Sequence, residues 1–163
     1  MQYAKIIGAI VCQTSRYQNM YKIEDIKSIH LEITQNCQAA CPMCDRNMNG
    51  GAVNPHINLD ELSLDDCKNI FTPAFIRQLS KLYMCGNLGD PIIAKDTLEV
   101  FEYFREHNPN IWLNMHTNGG AREEDWWKDI AKVFKQKGDV TFSVDGLEDC
   151  LLYTSDAADD WSS

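Results

Sequence analysis

The stretch "SIHLEITQNCQAACPMC", residues 28–44, joins a short apolar run to three closely spaced cysteines. Its first part, Ser28–Ile33, is rich in β-branched and apolar residues, which predicts a β-strand. Cys37, Cys41 and Cys44 follow in the pattern C-x3-C-x2-C. A strand that leads directly into three soft metal ligands predicts a metal site in the loop at the end of that strand.

The rest of the chain alternates β-like runs with helical patterns. Further strands are predicted in "KLYMCG" (Lys81–Gly86), "IWLNMHT" (Ile111–Thr117) and "DVTFSVDG" (Asp139–Gly146). Helices are predicted in "SLDDCKNIFTPAFIRQLSK", "AKDTLEVFEYFREHNP" and "REEDWWKDIAKVFKQKG". Strands separated by helices indicate an α/β fold with a parallel sheet, either doubly wound or part of a β/α barrel.

Local signals place the helix ends. Ser63 and Asp66 have the spacing of a capping box, and Pro73 is expected to divide the first helical stretch into two short helices. Leu98, Phe101 and Phe104 recur at helical spacing and predict a buried face in the second. The third helix is expected to stop at the glycine of "KQKG".

Unusual residues follow every predicted strand. After the cysteine loop come "GNLGDP", then "HTNGG", then "SVDG". Because the carboxyl ends of parallel strands carry the chemistry in α/β folds, these loops are expected to form one site. Each of them is also ordinary turn chemistry when taken alone.

Composition narrows the function classes. The net charge of −9 disfavours nucleic acid as a partner. The chain has seven cysteines, an odd number, which favours metal binding in a reducing, cytoplasmic setting over a disulfide framework. The sequence predicts no membrane span, because it contains no run of about 18 apolar residues, and no signal peptide.

Three cysteines leave the metal open to two interpretations. A structural zinc site needs four ligands, so a zinc knuckle would have to borrow a histidine such as His30 or His56. A four-iron cluster held by three thiolates would instead leave one iron open to a small molecule.

The combined motifs resemble the radical S-adenosylmethionine superfamily over about residues 28–149. The cysteine pattern follows the first strand, "GNLGDP" is similar to that family's Gly-Gly-Glu-Pro element, and "TNG" (Thr117–Gly119) and "SVDG" (Ser143–Gly146) are similar to its third and fourth strand ends. The resemblance implies an incomplete, truncated β/α barrel of the radical S-adenosylmethionine type with about four parallel strands present.

The resemblance implies that the protein is a radical enzyme. The cofactors would be a [4Fe-4S] cluster and S-adenosylmethionine, and a one-electron donor such as flavodoxin or ferredoxin would reduce the cluster. Reductive cleavage would give a 5′-deoxyadenosyl radical that abstracts hydrogen from an unknown substrate, with a peptide or a small metabolite as the leading expectation. The alternative is a non-catalytic zinc- or iron–sulfur-binding interaction module.

The resemblance also implies site residues. Cys37, Cys41 and Cys44 would be the cluster ligands. The residues that would bind S-adenosylmethionine are Met43, Gly89, Asp90, Thr117, Asn118, Ser143 and Asp145. Asp90 stands where the family usually has a glutamate. Cys85 and His116, at strand ends, are further candidates for substrate or proton handling, although such residues are more often structural.

The end of the chain differs in character from the rest. Residues 150–160 resemble translated DNA of a transposon-based sequencing adapter, so residues 150–163 are expected to be a non-native tail and the natural protein is expected to continue beyond Asp149. The predicted organisation is an N-terminal extension (1–27), a partial radical S-adenosylmethionine core (28–149) and this tail.

Overall fold

The computed structural model describes residues 22–143. Residues 1–21 and 144–163 lie outside the described residues, and with them Asp145, the predicted tail and most of the predicted N-terminal extension. The predicted domain boundaries stay predictions. A short 3₁₀ helix, Ile23–Asp25, precedes the sheet.

The described residues form one parallel sheet of four strands. The strands are β1 (Ser28–Leu31), β2 (Lys81–Met84), β3 (Trp112–Thr117) and β4 (Gly138–Phe142). Their order in the sheet is their order in the sequence, and each pairs in parallel with the next. A doubly wound sheet reverses its order at a switch point, whereas a barrel does not. The predicted α/β fold with a barrel-type sheet is therefore confirmed as an open, four-stranded segment.

Four α-helices lie in the connections. They are α1 (Leu64–Ile70), α2 (Pro73–Gln78), α3 (Thr97–His107) and α4 (Glu124–Phe134). The predicted capping box is confirmed, since the Asp66 amide donates to Ser63 Oγ at 3.2 Å and the Ser63 amide donates to Asp66 Oδ2 at 3.0 Å. Pro73 is the first residue of α2. A backbone N–H at this position makes no hydrogen bond within the helix, so proline, which has none, is tolerated there. The predicted break into two short helices is confirmed. No helix in the described part of the chain is long and apolar enough to cross a membrane.

One face of the sheet is the hydrophobic core. Side chains from β2 and β3 on this face are completely buried: Leu82, Met84, Leu113 and Met115. Phe101 and Phe104 of α3 belong to the same cluster, as predicted, while Leu98 is only half-buried at its margin. Phe101 meets Phe134 of α4 edge-on, with ring centroids 4.8 Å apart. Each such side chain contributes about 1.5–3 kcal/mol by leaving water.

The opposite face of the sheet is polar. Successive strand residues alternate between faces, so the in-register residues His30, Tyr83, Asn114 and Asp139 form a row across all four strands. The His30 ring stacks on Tyr83 with centroids 4.4 Å apart, and Asn114 Nδ2 donates to the Asp139 carboxylate. Asp139 also accepts the Trp112 indole N–H at 2.6 Å. This row corresponds to the inner side of a barrel.

The predicted stop of α4 at Gly138 is wrong. The helix ends at Phe134, and Lys135 follows it with a φ of 52° and a ψ of −128°, a backbone conformation that ordinarily favours glycine. Gly138 instead begins β4, where an added Cβ would lie 2.6 Å from the Leu113 carbonyl oxygen. The glycine is required by the close approach of β3 and β4, not by the helix end.

Arg105 explains how a lysine can occupy that position. Its guanidinium donates to five backbone carbonyls, those of Val133, Pro109, Ile111, Phe134 and Lys137, at 2.7 to 3.4 Å. Burial lowers the pKa of Arg105, the expected effect of removing a cation from water. One side chain thus joins the end of α4 to the segment between α3 and β3.

Replacing Arg105 by methionine is expected to lower the free energy of unfolding by about 3 kcal/mol, because several carbonyls lose a charged donor at once. Urea unfolding followed by circular dichroism measures the loss. The matched control is Arg77→Met, which removes the same charge from an exposed position on α2. Equal losses in the two variants would contradict the role given to Arg105.

Alkaline pH is expected to destabilise the protein through Cys67, which is fully buried on α1. Burial raises the pKa of this thiol from 9.0 to about 12, and the charges of Asp66 and Asp96 add to the effect. The unfolded chain therefore loses this proton first, so the contribution is complete below pH 9 and is lost as the pH rises toward 12.

The free energy of unfolding is expected to fall in both proteins when the pH is raised from 8 to 11. The fall is expected to be about 2 kcal/mol smaller in Cys67→Ala than in the unmodified chain. Urea unfolding at the two pH values measures the difference. Identical losses would mean that Cys67 does not carry this dependence.

Candidate functional site

The three cysteines lie in the loop that follows β1. Cys37, Cys41 and Cys44 are each half-buried. Two tight turns shape the loop, because the Cys44 amide donates to the Cys41 carbonyl at 3.1 Å and the Asn47 amide donates to the Cys44 carbonyl at 2.9 Å. The Ala39 amide points at Cys37 Sγ, 3.4 Å away. The loop that carries the three cysteines thus begins at the carboxyl end of β1.

A cavity of about 150 Å³ lies at that end. Its lining comes from the loops after all four strands: Cys37, Ala39, Cys41, Cys85, Gly86, Gly89, Asp90, His116, Thr117, Asn118 and Ser143. The described residues of the strand-end loops thus converge on one cavity, while Val144, Asp145 and Gly146 of "SVDG" lie outside the described residues. A larger cavity, of about 660 Å³, lies beside Arg105 among the loops that enter β3 and β4, far from these residues, and its main polar group is already bound to backbone carbonyls.

Asp90 joins three of the loops around the cavity. Its carboxylate is 5% exposed and accepts the Asn118 amide at 2.7 Å and the Ile92 amide at 3.1 Å. Its own amide donates to the Asn36 carbonyl at 2.9 Å. The loop after β2 is thereby attached both to the start of the cysteine loop and to the end of β3.

Gly89 permits that attachment. A Cβ at this position would overlap the Thr34 carbonyl oxygen and lie 2.7 Å from the Thr34 carbonyl carbon and 2.9 Å from the Asn36 oxygen. These are backbone atoms that have no side-chain freedom to move away. The residue before Asp90 must therefore be glycine if the two loops are to touch.

The "TNG" segment reaches the cysteine loop directly. Asn118 Nδ2 lies 3.5 Å from Cys37 Sγ, and Asn118 Oδ1 accepts from Gln38 Nε2 at 2.6 Å. The Thr117 carbonyl accepts the Ser143 amide at 2.8 Å. Sequence reasoning missed Gln38, because a glutamine within a cysteine motif carries no signal of its partner 80 residues away.

Burial controls the electrostatics of the thiols. The pKa of Cys37 is raised by burial and further by the charge of Asp90, against the lowering effects of the Ala39 amide and of Arg46. Burial also raises the pKa of Cys85, with contributions from Glu32 and Asp90. Both thiols are consequently protonated at neutral pH, and a metal that binds there must displace protons.

The donor set fits a cluster in its chemistry. Three sulfur ligands share one short loop, and two of them, Cys37 and Cys41, line the cavity. Among residues 22–143, no three metal-ligating side chains converge on one point. His30 is a poor fourth ligand for zinc, since its Nε2 lies 2.6 Å from the Cys85 carbonyl oxygen and its ring stacks on Tyr83.

Two predicted site residues lie away from this group. Met43 is 94% exposed and does not line the cavity. Cys44 is on the same loop but outside the cavity wall. Asp145 lies outside the described residues. The two further candidates, Cys85 and His116, both line the cavity.

Known proteins resemble this chain at low identity. No protein-family model matches it. The FeMo cofactor biosynthesis protein NifB of Methanocaldococcus infernus is 21% identical over 155 residues, covering 93% of this chain and 48% of that protein. NifB of Methanocaldococcus jannaschii is 24% identical over 136 residues, covering 80% and 44%. The chain thus spans about half the length of the curated relatives it matches.

A solved structure shares the fold. The crystal structure of BtrN in complex with AdoMet and 2-DOIA superimposes with a TM-score of 0.55 at 15% identity, over 78% of this chain and 54% of BtrN. NifB and BtrN are both radical S-adenosylmethionine enzymes. The predicted resemblance to that superfamily is confirmed.

Replacing Gly89 by alanine is expected to lower the free energy of unfolding by about 3 kcal/mol, since the new methyl group would overlap backbone on two sides. Thermal or urea unfolding measures this. Gly51→Ala serves as the control, because its Cβ would meet one atom, the Met48 oxygen, at 3.1 Å. A Gly89 variant as stable as the Gly51 variant would show that the loops do not depend on this contact.

Proposed function

We propose that this chain is part of a radical S-adenosylmethionine enzyme in which Cys37, Cys41 and Cys44 hold a [4Fe-4S] cluster. The observation that carries the proposal is the position of the C-x3-C-x2-C loop, directly beside a cavity that all four strand-end loops line. An interaction module with a zinc knuckle would not need such loops after every strand.

The cofactor pair would supply the difficult chemistry. When bound, the cluster would pass one electron from a donor such as ferredoxin or flavodoxin to S-adenosylmethionine. Its sulfonium C–S bond would then break to give methionine and a 5′-deoxyadenosyl radical, which would take a hydrogen atom from a substrate. The residues of the chain would bind, orient and shield these groups. Thiol protons on Cys37, Cys41 and Cys44 would be released when the cluster forms.

We assign the S-adenosylmethionine contacts to the loops around the cavity. Gly89 and Asp90 line the cavity, and the Asp90 carboxylate holds the Asn118 amide beside it. Thr117, Asn118 and Ser143 line the wall beyond β3 and β4. These groups are polar hydrogen-bonding partners of the kind that a methionine or ribose moiety requires.

Two further contacts are proposed on the superfamily pattern. Met43, exposed on the cysteine loop, has a thioether available to pack on an adenine ring. Asp145, two residues beyond Ser143, is proposed to face the ribose or the methionine carboxylate. The substrate is proposed to be a peptide or a small metabolite, because a net charge of −9 disfavours nucleic acid.

Anaerobic reconstitution of the full chain with iron and sulfide tests the proposal. The reduced protein is expected to give the electron paramagnetic resonance signal of a four-iron cluster, and addition of S-adenosylmethionine is expected to change that signal because the cofactor binds the open iron. A variant with Cys37, Cys41 and Cys44 all replaced by alanine is expected to lose the signal.

Cys85→Ala is the matched control. It also lines the cavity, yet the proposal gives it no cluster bond, so its variant should retain both the iron and the response to S-adenosylmethionine. Loss of the cluster in Cys85→Ala would indicate four cysteine ligands and no open iron. Stoichiometric zinc, or a cluster signal unchanged by S-adenosylmethionine, would favour the interaction module.

A further inference from the structure

Arg46 is a buried cation in the cysteine loop. It follows Cys44 by two residues, and only 6% of its surface is exposed. One of its terminal nitrogens donates to the Ala39 carbonyl at 2.6 Å. Ala39 lies between Cys37 and Cys41 in the sequence, so the guanidinium is joined to the backbone of the segment that carries these two thiols.

No carboxylate balances the charge of this cation in the part of the chain that the structure describes. No carboxylate forms a salt bridge with Arg46 among the described residues, and its Nε–H is buried without a hydrogen-bond acceptor. Asp45, its neighbour in sequence, is exposed. A buried water could accept from Nε but would not neutralise the charge. A buried charge is costly unless it is paired or fully hydrogen-bonded, and the buried Nε–H of Arg46 is neither.

A second unpartnered donor lies next to it. Asn47 is 7% exposed, and its Nδ2 is also buried without an acceptor. Two adjacent residues of one loop therefore both have donors and lack acceptors. The missing group is one that accepts hydrogen bonds and carries negative charge.

The nearby thiols can supply this negative charge once they are deprotonated. Arg46 binds a carbonyl of the segment that joins Cys37 to Cys41, and the buried carboxylate of Asp90 lines the same cavity as these two cysteines. Once three thiols become thiolates, the loop gains negative charge that Asp90 opposes. Arg46 is the cation that the loop itself provides against it.

We propose that Arg46 is a positioning residue that supplies the counter-charge for the metal-bound thiolates of Cys37, Cys41 and Cys44. The inference rests on the proposed cluster site. Its physical consequence concerns redox behaviour, because the potential of an iron–sulfur cluster depends on nearby charge and on hydrogen bonds to its sulfurs. Reduction adds one negative charge to the site, and a fixed cation favours the reduced state.

The test compares Arg46→Met, which removes charge and donors, with Arg46→Lys, which keeps the charge. Arg77→Met on the exposed side of α2 is the control for general charge removal. Each full-length protein is reconstituted with iron and sulfide and titrated with dithionite and redox mediators, without S-adenosylmethionine. Electron paramagnetic resonance then gives the midpoint potential of the cluster.

At a fixed solution potential, Arg46→Met is expected to show a reduced-to-oxidised ratio at least tenfold lower than the unmodified chain, which corresponds to a midpoint about 59 mV more negative for one electron. Arg46→Lys is expected to lie between the two, and Arg77→Met is expected to match the unmodified chain. An unchanged midpoint in Arg46→Met would overturn the inference.

The other outcomes are also decisive. If Arg46→Met holds no iron but its apoprotein is as stable as the unmodified apoprotein, the counter-charge is needed to retain the cluster and the inference stands. If the apoprotein itself has lost its fold, Arg46 is a structural residue and the inference fails. An effect seen only after S-adenosylmethionine is added would assign Arg46 to that cofactor instead.

Failure of the proposed function is distinguishable from these results. In that case the unmodified chain itself takes up no cluster, and the inference about Arg46 falls with it.

Discussion

The junction at Asp90 is the constraint on which the candidate site depends. A buried carboxylate accepts two backbone amides from different loops, while its own amide binds Asn36 at the start of the cysteine loop. Buried carboxylates are stable only when they are hydrogen-bonded in this way. The three loops consequently hold one another, and Gly89 allows the contact because no side chain stands between them. Gly89 and Asp90 of this junction both line the cavity.

Much of this arrangement could be predicted from local sequence signals. The capping box at Ser63, the break at Pro73 and the four strands each follow from short-range physical rules, and the structure has all of them. The gathering of the strand-end loops follows from one further rule, that parallel strands end at the same edge. Those signals were sufficient to place Cys37, Asp90 and Asn118 in a common site before their contacts were known.

Contacts between distant residues that have no motif could not be predicted. Gln38 binds Asn118 across 80 positions, and Arg105 binds carbonyls whose positions depend on the packing of α3 and α4. The predicted end of α4 at Gly138 was wrong for the same reason. Lys135 adopts a conformation that local propensity disfavours because Arg105 holds the turn around it, and propensity rules contain no such tertiary term.

The sequential order of the strands has a consequence for how the protein acquires its fold. Each strand pairs with the one synthesised just before it, so every ladder closes over a single intervening connection. Such a topology keeps loop-closure entropy low and needs no strand to be inserted between two that have already paired. The sheet can therefore grow in one direction as the chain leaves the ribosome, with the cysteine loop already in place on its first strand while the later walls of the cavity are being added.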